Sequence, residues 1–209
     1  MDYSDAFKVL KNDQVMSFLI KRFKNEIDIT DRYNNDYAKA ISDLIIEQQI
    51  SFKAAITIKK KFNLLLNNSD NLLDIPDEKI RSIGISSRKV EYIKNVYKFF
   101  ESNEFNFQKL TDEETIKILC EIKGIGSWTA EMFLIFILFR QDIFSKKDLA
   151  LINSIKINYG IKDLTNKKLD KLILSWKPYN TIASLLLWKS IEEKYCLLYT
   201  SDAADESDR

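Results

Sequence analysis

Histidine is absent from all 209 residues of this chain. That omission removes histidine general bases, Ser-His nucleophilic triads and histidine-containing zinc sites together. Any catalysis must run on carboxylate, lysine, tyrosine or backbone groups. Cysteine is nearly as scarce: Cys120 and Cys196 are too few and too far apart for a metal cluster or a disulfide framework, so no structural metal is expected. Two prolines and four glycines leave little room for disorder inside the body of the chain. No run approaches the roughly 18 consecutive apolar residues of a membrane span, and the longest, Met132 to Phe139, reads as a buried helix. The N-terminus is polar and lacks a signal-peptide core. The expectation is a cytoplasmic protein (nucleoid-associated in a prokaryote) with no membrane partner.

What remains is an ordinary globular composition, 45% hydrophobic, at a length that suits one domain or two small lobes sharing a core. The net charge of +1 is spread unevenly. Residues Asp202 to Arg209 hold four acids and one arginine, which leaves the body at +4; Arg140 to Lys171 alone hold eight Lys/Arg against four Asp. Such a basic excess suits phosphate neutralisation, and a solvated helix face explains it equally well.

Apolar periodicity is helical almost throughout, with no alternating strand pattern of useful length, so the expected class is all-α. It predicts helices over Gln14–Phe23, Asp36–Gln48, Phe52–Leu66, Ser87–Ser102, Asp112–Glu121, Trp128–Phe139, Asp148–Tyr159, Asn166–Ser175 and Tyr179–Lys194. Breaks fall at 67–71, around Pro76, at 102–106 and at Lys177–Pro178. From about Tyr199 to Arg209 the chain turns small, acidic and non-periodic, and is expected to be a disordered or non-native tail.

The densest information lies between Cys120 and Asp148. Gly124 and Gly126, two of the four glycines, sit two apart between two helical patterns. A Gly-x-Gly turn can take φ > 0 and lets backbone N–H groups approach an anion, and the following helix points its positive dipole end at the same place. A lone carboxylate, Asp148, then opens the next helical segment. A backbone phosphate grip with one isolated acid outlines an enzyme acting on nucleic acid.

The block Leu119 to Met132 resembles the helix-hairpin-helix signature of DNA repair glycosylases, and Asp148 stands where that superfamily keeps its catalytic aspartate. Three further blocks resemble the DNA-3-methyladenine glycosylase II (alkylpurine) branch: Leu44-Ile-Ile-Glu-Gln-Gln-Ile-Ser-Phe-Lys-Ala-Ala55, Ile80-Arg-Ser-Ile-Gly-Ile-Ser-Ser-Arg-Lys89, and Trp176-Lys-Pro-Tyr-Asn-Thr-Ile-Ala-Ser184 with Trp188. All four occur in family order between Ala38 and Trp188. The resemblance implies a single glycosylase domain over residues 1–198, in two helical lobes with the active-site cleft between them. It also implies the compact form, since the residues ahead of Ala38 are too few for the extra N-terminal domain of some bacterial members. The iron–sulfur cysteine cluster of the endonuclease III-like branch is missing.

The same resemblance assigns roles. Lys123, Gly124, Ile125, Gly126, Ser127 and Thr129 would bind duplex DNA through the hairpin, independently of sequence. A monovalent cation is expected at the hairpin carbonyls, with no other cofactor required; a plain tight turn is the alternative. Bifunctional relatives carry a lysine nucleophile at the position of Trp128. Tryptophan there implies base removal without strand cleavage, and its face suits a flat cationic base; helix packing would also explain it. Asp148 would stabilise an oxocarbenium-like transition state and orient water, and it is also a good N-cap. Gln48, Gln49 and Ile50 lie where the family keeps its wedge into DNA, Gln49 being the preferred wedge, and Gln48, Gln49 and Ser51 are assigned to DNA binding; helix-terminal polar residues meeting water fit as well. Tyr37 and Tyr179 are assigned to the base pocket, Trp176 and Trp188 mainly to packing, and Phe133, Phe136 and Phe139 to the core. The expected activity is excision of alkylated purines by a monomer. A glycosylase for another damaged base and a catalytically silent DNA-binding protein are the alternatives.

Overall fold

The computed structural model describes residues 2–30, 32–69 and 71–195; Cys196 and the tail expected at 199–209 lie outside the described residues. Eleven α-helices and two 3-10 turns account for the regular structure, with no strand among the described residues. The helices are α1 (Ser4–Leu10), α2 (Gln14–Phe23), α3 (Tyr37–Glu47), α4 (Phe52–Asn67), α5 (Asp77–Ser82), α6 (Ser87–Ser102), α7 (Asp112–Cys120), α8 (Ser127–Phe136), α9 (Leu149–Asn158), α10 (Asn166–Trp176) and α11 (Asn180–Glu192). No helix among the described residues is long and apolar enough to cross a membrane. The chain divides into two compact units, Met1–Asp31 with Phe139–Arg209, and Arg32–Leu138.

In the first unit α11 is the central element. Every residue from Asn180 to Leu187 is buried, so the helix has no polar face, and it packs against α9 and α2. Helix α2 turns Val15, Met16, Leu19, Ile20 and Phe23 inward at helical spacing. Its N-cap, Asp13, joins three helices. The carboxylate accepts from the Met16 amide through Oδ1 (3.0 Å), and from the Tyr159 hydroxyl (2.7 Å) and the Trp176 indole N–H (3.3 Å) through Oδ2. Burial and the neighbouring Asp13 carboxylate push the Tyr159 phenol far above its ordinary value, so it stays a donor. Two polar side chains facing the core are likewise paired: Ser154 donates to the Leu187 carbonyl (2.8 Å), and Asn158 donates to the Ser190 hydroxyl (3.1 Å).

In the second unit α3 occupies the centre, packed on α4, α6 and α8 with Ile41, Leu44, Ile45 and Ile46 buried. Phe107 anchors an aromatic cluster, with Tyr37, Phe105 and Phe133 at 5.3–5.4 Å between ring centroids. Helix α7 begins in a reciprocal capping box between Thr111 and Glu114. Glu47, near the end of α3, takes Lys59 (2.5 Å) and Arg32 (3.1 Å), and the Arg32 guanidinium also lies over the Phe136 ring.

Three expectations require correction. Helices α1 and α5 were not foreseen, being only seven and six residues long. Helix α8 stops at Phe136, not Phe139, because the Leu138 amide turns back to the Phe133 carbonyl (3.1 Å) and Phe139 adopts φ 56°. Phe139 is therefore half-buried while Phe133 and Phe136 are core. Asp148 and Gln48 act as caps outside their helices.

The Asp13 junction yields a stability test. Asp13→Ala removes a cap and leaves two donors without their acceptor, and is expected to lower the unfolding free energy by about 2–4 kcal/mol. Tyr159→Phe, which preserves the cap, is expected to lower it by about 1 kcal/mol in the same urea titration.

Candidate nucleic-acid interface and active site

The hairpin hides its two isoleucine side chains and places glycines between and after them. Ile122 and Ile125 are buried, and the Ile125 amide donates to the Ile122 carbonyl (2.9 Å) to close the turn. Gly124 sits at the third position of that turn with φ 106°. A Cβ there would lie 2.2 Å from Cγ of Tyr92, so backbone conformation and close approach both demand glycine. Gly126 is different: its backbone is extended (φ −105°, ψ 176°), and a Cβ would meet nothing within 4 Å. It is the N-cap of α8 and brings no side chain to the cap. The amides of Ser127, Trp128 and Thr129 follow in the first turn of α8, at the positive end of the helix dipole.

Around this turn, the charged and polar groups have specific partners. Lys123 is 72% exposed and pairs with Glu91 of α6 (2.5 Å), a hydrogen bond that raises its pKa above the ordinary lysine value. Its carbonyl accepts from Asn95 (3.3 Å). Ile125 contributes only backbone, being buried. Thr129 is 2% exposed and its Oγ1 accepts from Gln48 Nε2 (3.0 Å), so the expected DNA contact at this residue falls to its amide at the helix start.

The same hydrogen bond fixes the end of α3. Gln48 caps that helix; Gln49, the next residue, is exposed and held at φ 57°, a left-handed conformation unusual for a residue with a side chain. Ile50 follows, 37% exposed, and Ser51 is the N-cap of α4, accepting from the Ala54 amide (3.3 Å). Ser51 thus has a structural task beside the expected one. Lys89 of α6 donates to the carbonyls of Ile46 (2.8 Å) and Gln48 (2.7 Å). These residues border a hollow of about 220 Å³ with Ile58, Gly84 and Ile85.

Of the aromatic residues assigned to a base pocket, Trp128 is half-buried on the first turn of α8. Tyr37 is half-buried with its ring edge-on to Phe107 and Phe133, a packing environment. Tyr179 is half-buried at the start of α11, its amide on the Trp176 carbonyl (2.8 Å). Trp176 is fully buried, in line with a packing role.

Asp148 lies at the N-cap of α9 and is 9% exposed. Oδ1 accepts from the Leu151 amide (2.9 Å) and from the indole N–H of Trp188 (3.2 Å). Sequence reasoning took Trp188 for packing. The structure makes it the hydrogen-bond partner of the key acid, brought there by the packing of α11 on α9. A tryptophan on an otherwise apolar helix needs a partner for its N–H, and that was the available signal. Leu149, beside Asp148, is 77% exposed and offers an apolar surface next to the carboxylate. No cluster of three or more His, Cys, Asp or Glu residues suited to a metal occurs among the described residues.

The family model of the HhH-GPD superfamily base excision DNA repair protein matches residues 43–178. DNA-3-methyladenine glycosylase 1 of Schizosaccharomyces pombe is 31% identical over 156 residues, 70% of this chain and 68% of that protein. The DNA-3-methyladenine glycosylase of Saccharomyces cerevisiae is 31% identical over 160 residues, 69% of this chain and 52% of the relative. The chain likewise spans 56% of the length of a Bacillus subtilis relative. Among solved structures, the S. pombe 3-methyladenine DNA glycosylase in complex with abasic DNA superimposes with a TM-score of 0.77 at 26% identity, covering 90% of this chain and 97% of that one.

The two glycines of the hairpin separate by substitution. Gly124→Ala is expected to cost about 2 kcal/mol or more, because the Tyr92 ring and the positive φ both oppose it. Gly126→Ala is expected to change stability by less than about 1 kcal/mol. Its effect should appear instead as weaker binding to duplex DNA, measured by fluorescence anisotropy at fixed salt.

Proposed function

The chain belongs to the HhH-GPD superfamily of base excision DNA repair proteins, and from that premise we propose that it is a monofunctional DNA glycosylase that excises alkylated purines from duplex DNA. The observation that carries this reading is Asp148, a nearly buried carboxylate held by two donors on one oxygen in a chain with no histidine. Cleavage of an N-glycosidic bond builds positive charge on the sugar, and a fixed carboxylate stabilises that charge and orients the attacking water. An alkylated purine leaves as a neutral base from an already cationic nucleoside, so no strong leaving-group acid is needed. One carboxylate then suffices.

The other parts follow the same reading. The hairpin amides hold a phosphate on the far side of Gly126, and Gln49 enters the duplex where the nucleotide leaves the stack. Trp128 offers a ring face to a cationic base and carries no amine for Schiff-base chemistry. A monovalent cation at the hairpin would find backbone carbonyls, hard oxygen donors of the kind an alkali ion takes; those of Ile122 and Lys123 each accept one protein hydrogen bond and keep a second lone pair. The protein is read as acting as a monomer on DNA in the cytoplasm.

The deciding experiment uses the wild-type protein and a duplex carrying 3-methyladenine or 7-methylguanine. Free base is expected in solution, with the strand intact until alkali cleaves the abasic product. Strand cleavage at neutral pH would overturn the assignment at Trp128, and binding without release from any alkylated substrate would favour a silent DNA-binding module. Trp188→Phe removes one donor from Asp148 while leaving the helix cap. It is expected to slow single-turnover release by about tenfold, the effect of one lost hydrogen bond to a charged group.

A further inference from the structure

Helix α3 ends in a way that its own sequence does not explain. The last carbonyls of a helix lack intrahelical donors, and a glycine in the left-handed conformation usually closes the end. Here Gln49 takes that conformation with a side chain, at φ 57°, a strained backbone for a residue other than glycine. Something outside the helix must hold it. The Lys89 ammonium, brought in from α6, donates to the carbonyls of both Ile46 (2.8 Å) and Gln48 (2.7 Å), bracketing the last turn. A cation suits this place doubly, since the C-terminal end of the helix dipole is negative. Burial lowers the Lys89 pKa, the mark of an ammonium drawn in from solvent to make these bonds.

The residue just before the strained one is fixed a second time. Gln48 gives its carbonyl to Lys89 and its side-chain amide to Thr129 on α8. Beyond it Gln49 and Ile50 stand exposed, with the hollow of about 220 Å³ at their side. A rigid base that ends abruptly in two exposed side chains can press into a base stack without being pushed back.

We propose that Lys89 is a positioning residue for base extrusion: by tying the Ile46 and Gln48 carbonyls together it holds the Gln49–Ile50 turn in the shape that enters DNA. This rests on reading the chain as a base-extruding glycosylase. Lys89 acts through the Ile46 and Gln48 carbonyls, not on the reacting atoms. Its loss should therefore slow the step that opens the duplex and leave the hydrolysis that follows unchanged.

Lys89→Met keeps the length of the side chain and removes its donors; Lys89→Arg keeps charge and donors. Single-turnover release of 7-methylguanine is measured for wild type and both variants on two DNAs. In one the lesion is fully paired; in the other it sits in a mismatched, weakly stacked site where extrusion costs least. Lys89→Met is expected to slow release from the paired site by about tenfold or more, as misplacement of a positioning element does. On the mismatched site it should stay within about twofold of wild type, which also certifies that the variant is folded and its hydrolytic machinery intact. Lys89→Arg should recover most of the paired-site rate. Equal losses on both DNAs, or no loss on either, would overturn the proposal. A wild-type protein that releases no base from either DNA would instead overturn the glycosylase reading itself, a separate result.

Discussion

The proposed chemistry hangs on two hydrogen bonds to one oxygen atom. Asp148 Oδ1 accepts the Leu151 amide that starts α9 and the Trp188 indole that comes from α11. With histidine missing from the chain, the base and electrostatic partner of the proposed reaction is a carboxylate. The cap and the catalytic duty do not compete. Capping restricts the rotamer of the carboxylate and places it at the positive end of a helix dipole, where its charge is favoured. A residue fixed in this way needs no reorganisation when charge develops on a sugar, which is the general requirement of electrostatic catalysis.

The proposed DNA-facing parts of the second unit follow a different rule: the hairpin buries Ile122 and Ile125 and offers backbone at its glycines, while the end of α3 exposes Gln49 and Ile50. Gly124 is locked by Tyr92 and Gly126 is left open, so two glycines that look equivalent in sequence have opposite tasks. The end of α3 is organised by polar cross-links from α6 and α8, through Lys89 and Gln48. On the proposed reading, backbone and helix-terminal contacts would recognise the duplex as a phosphate polymer, which suits a protein that must meet damage in any sequence.

Much of the fold was legible because amphipathic helices announce themselves. Helices α2, α6 and α10 show one apolar stripe each and were placed within a residue or two. Periodicity is silent where helices are short, as for α1 and α5, and where apolar residues continue past a helix end, as from Phe136 to Phe139. Of the candidate site, the Asp148 cap and the glycine turn at Gly124 were legible because each is local in sequence. Trp188 could not, since its tie to Asp148 spans 40 residues and depends on how α11 lies on α9. Thr129 illustrates the converse: the resemblance assigns it to DNA contact at the hairpin, yet its side chain lies in the interior among the buried residues of α8.

The most direct test of the account is the paired measurement of lesion binding and base release for Asp148→Asn. Asparagine caps a helix about as well as aspartate, so the fold and the DNA-binding surface should survive the change. The account predicts affinity for a 3-methyladenine duplex close to that of wild type, with single-turnover release of the base reduced by about 100-fold or more. Release at the wild-type rate would contradict it.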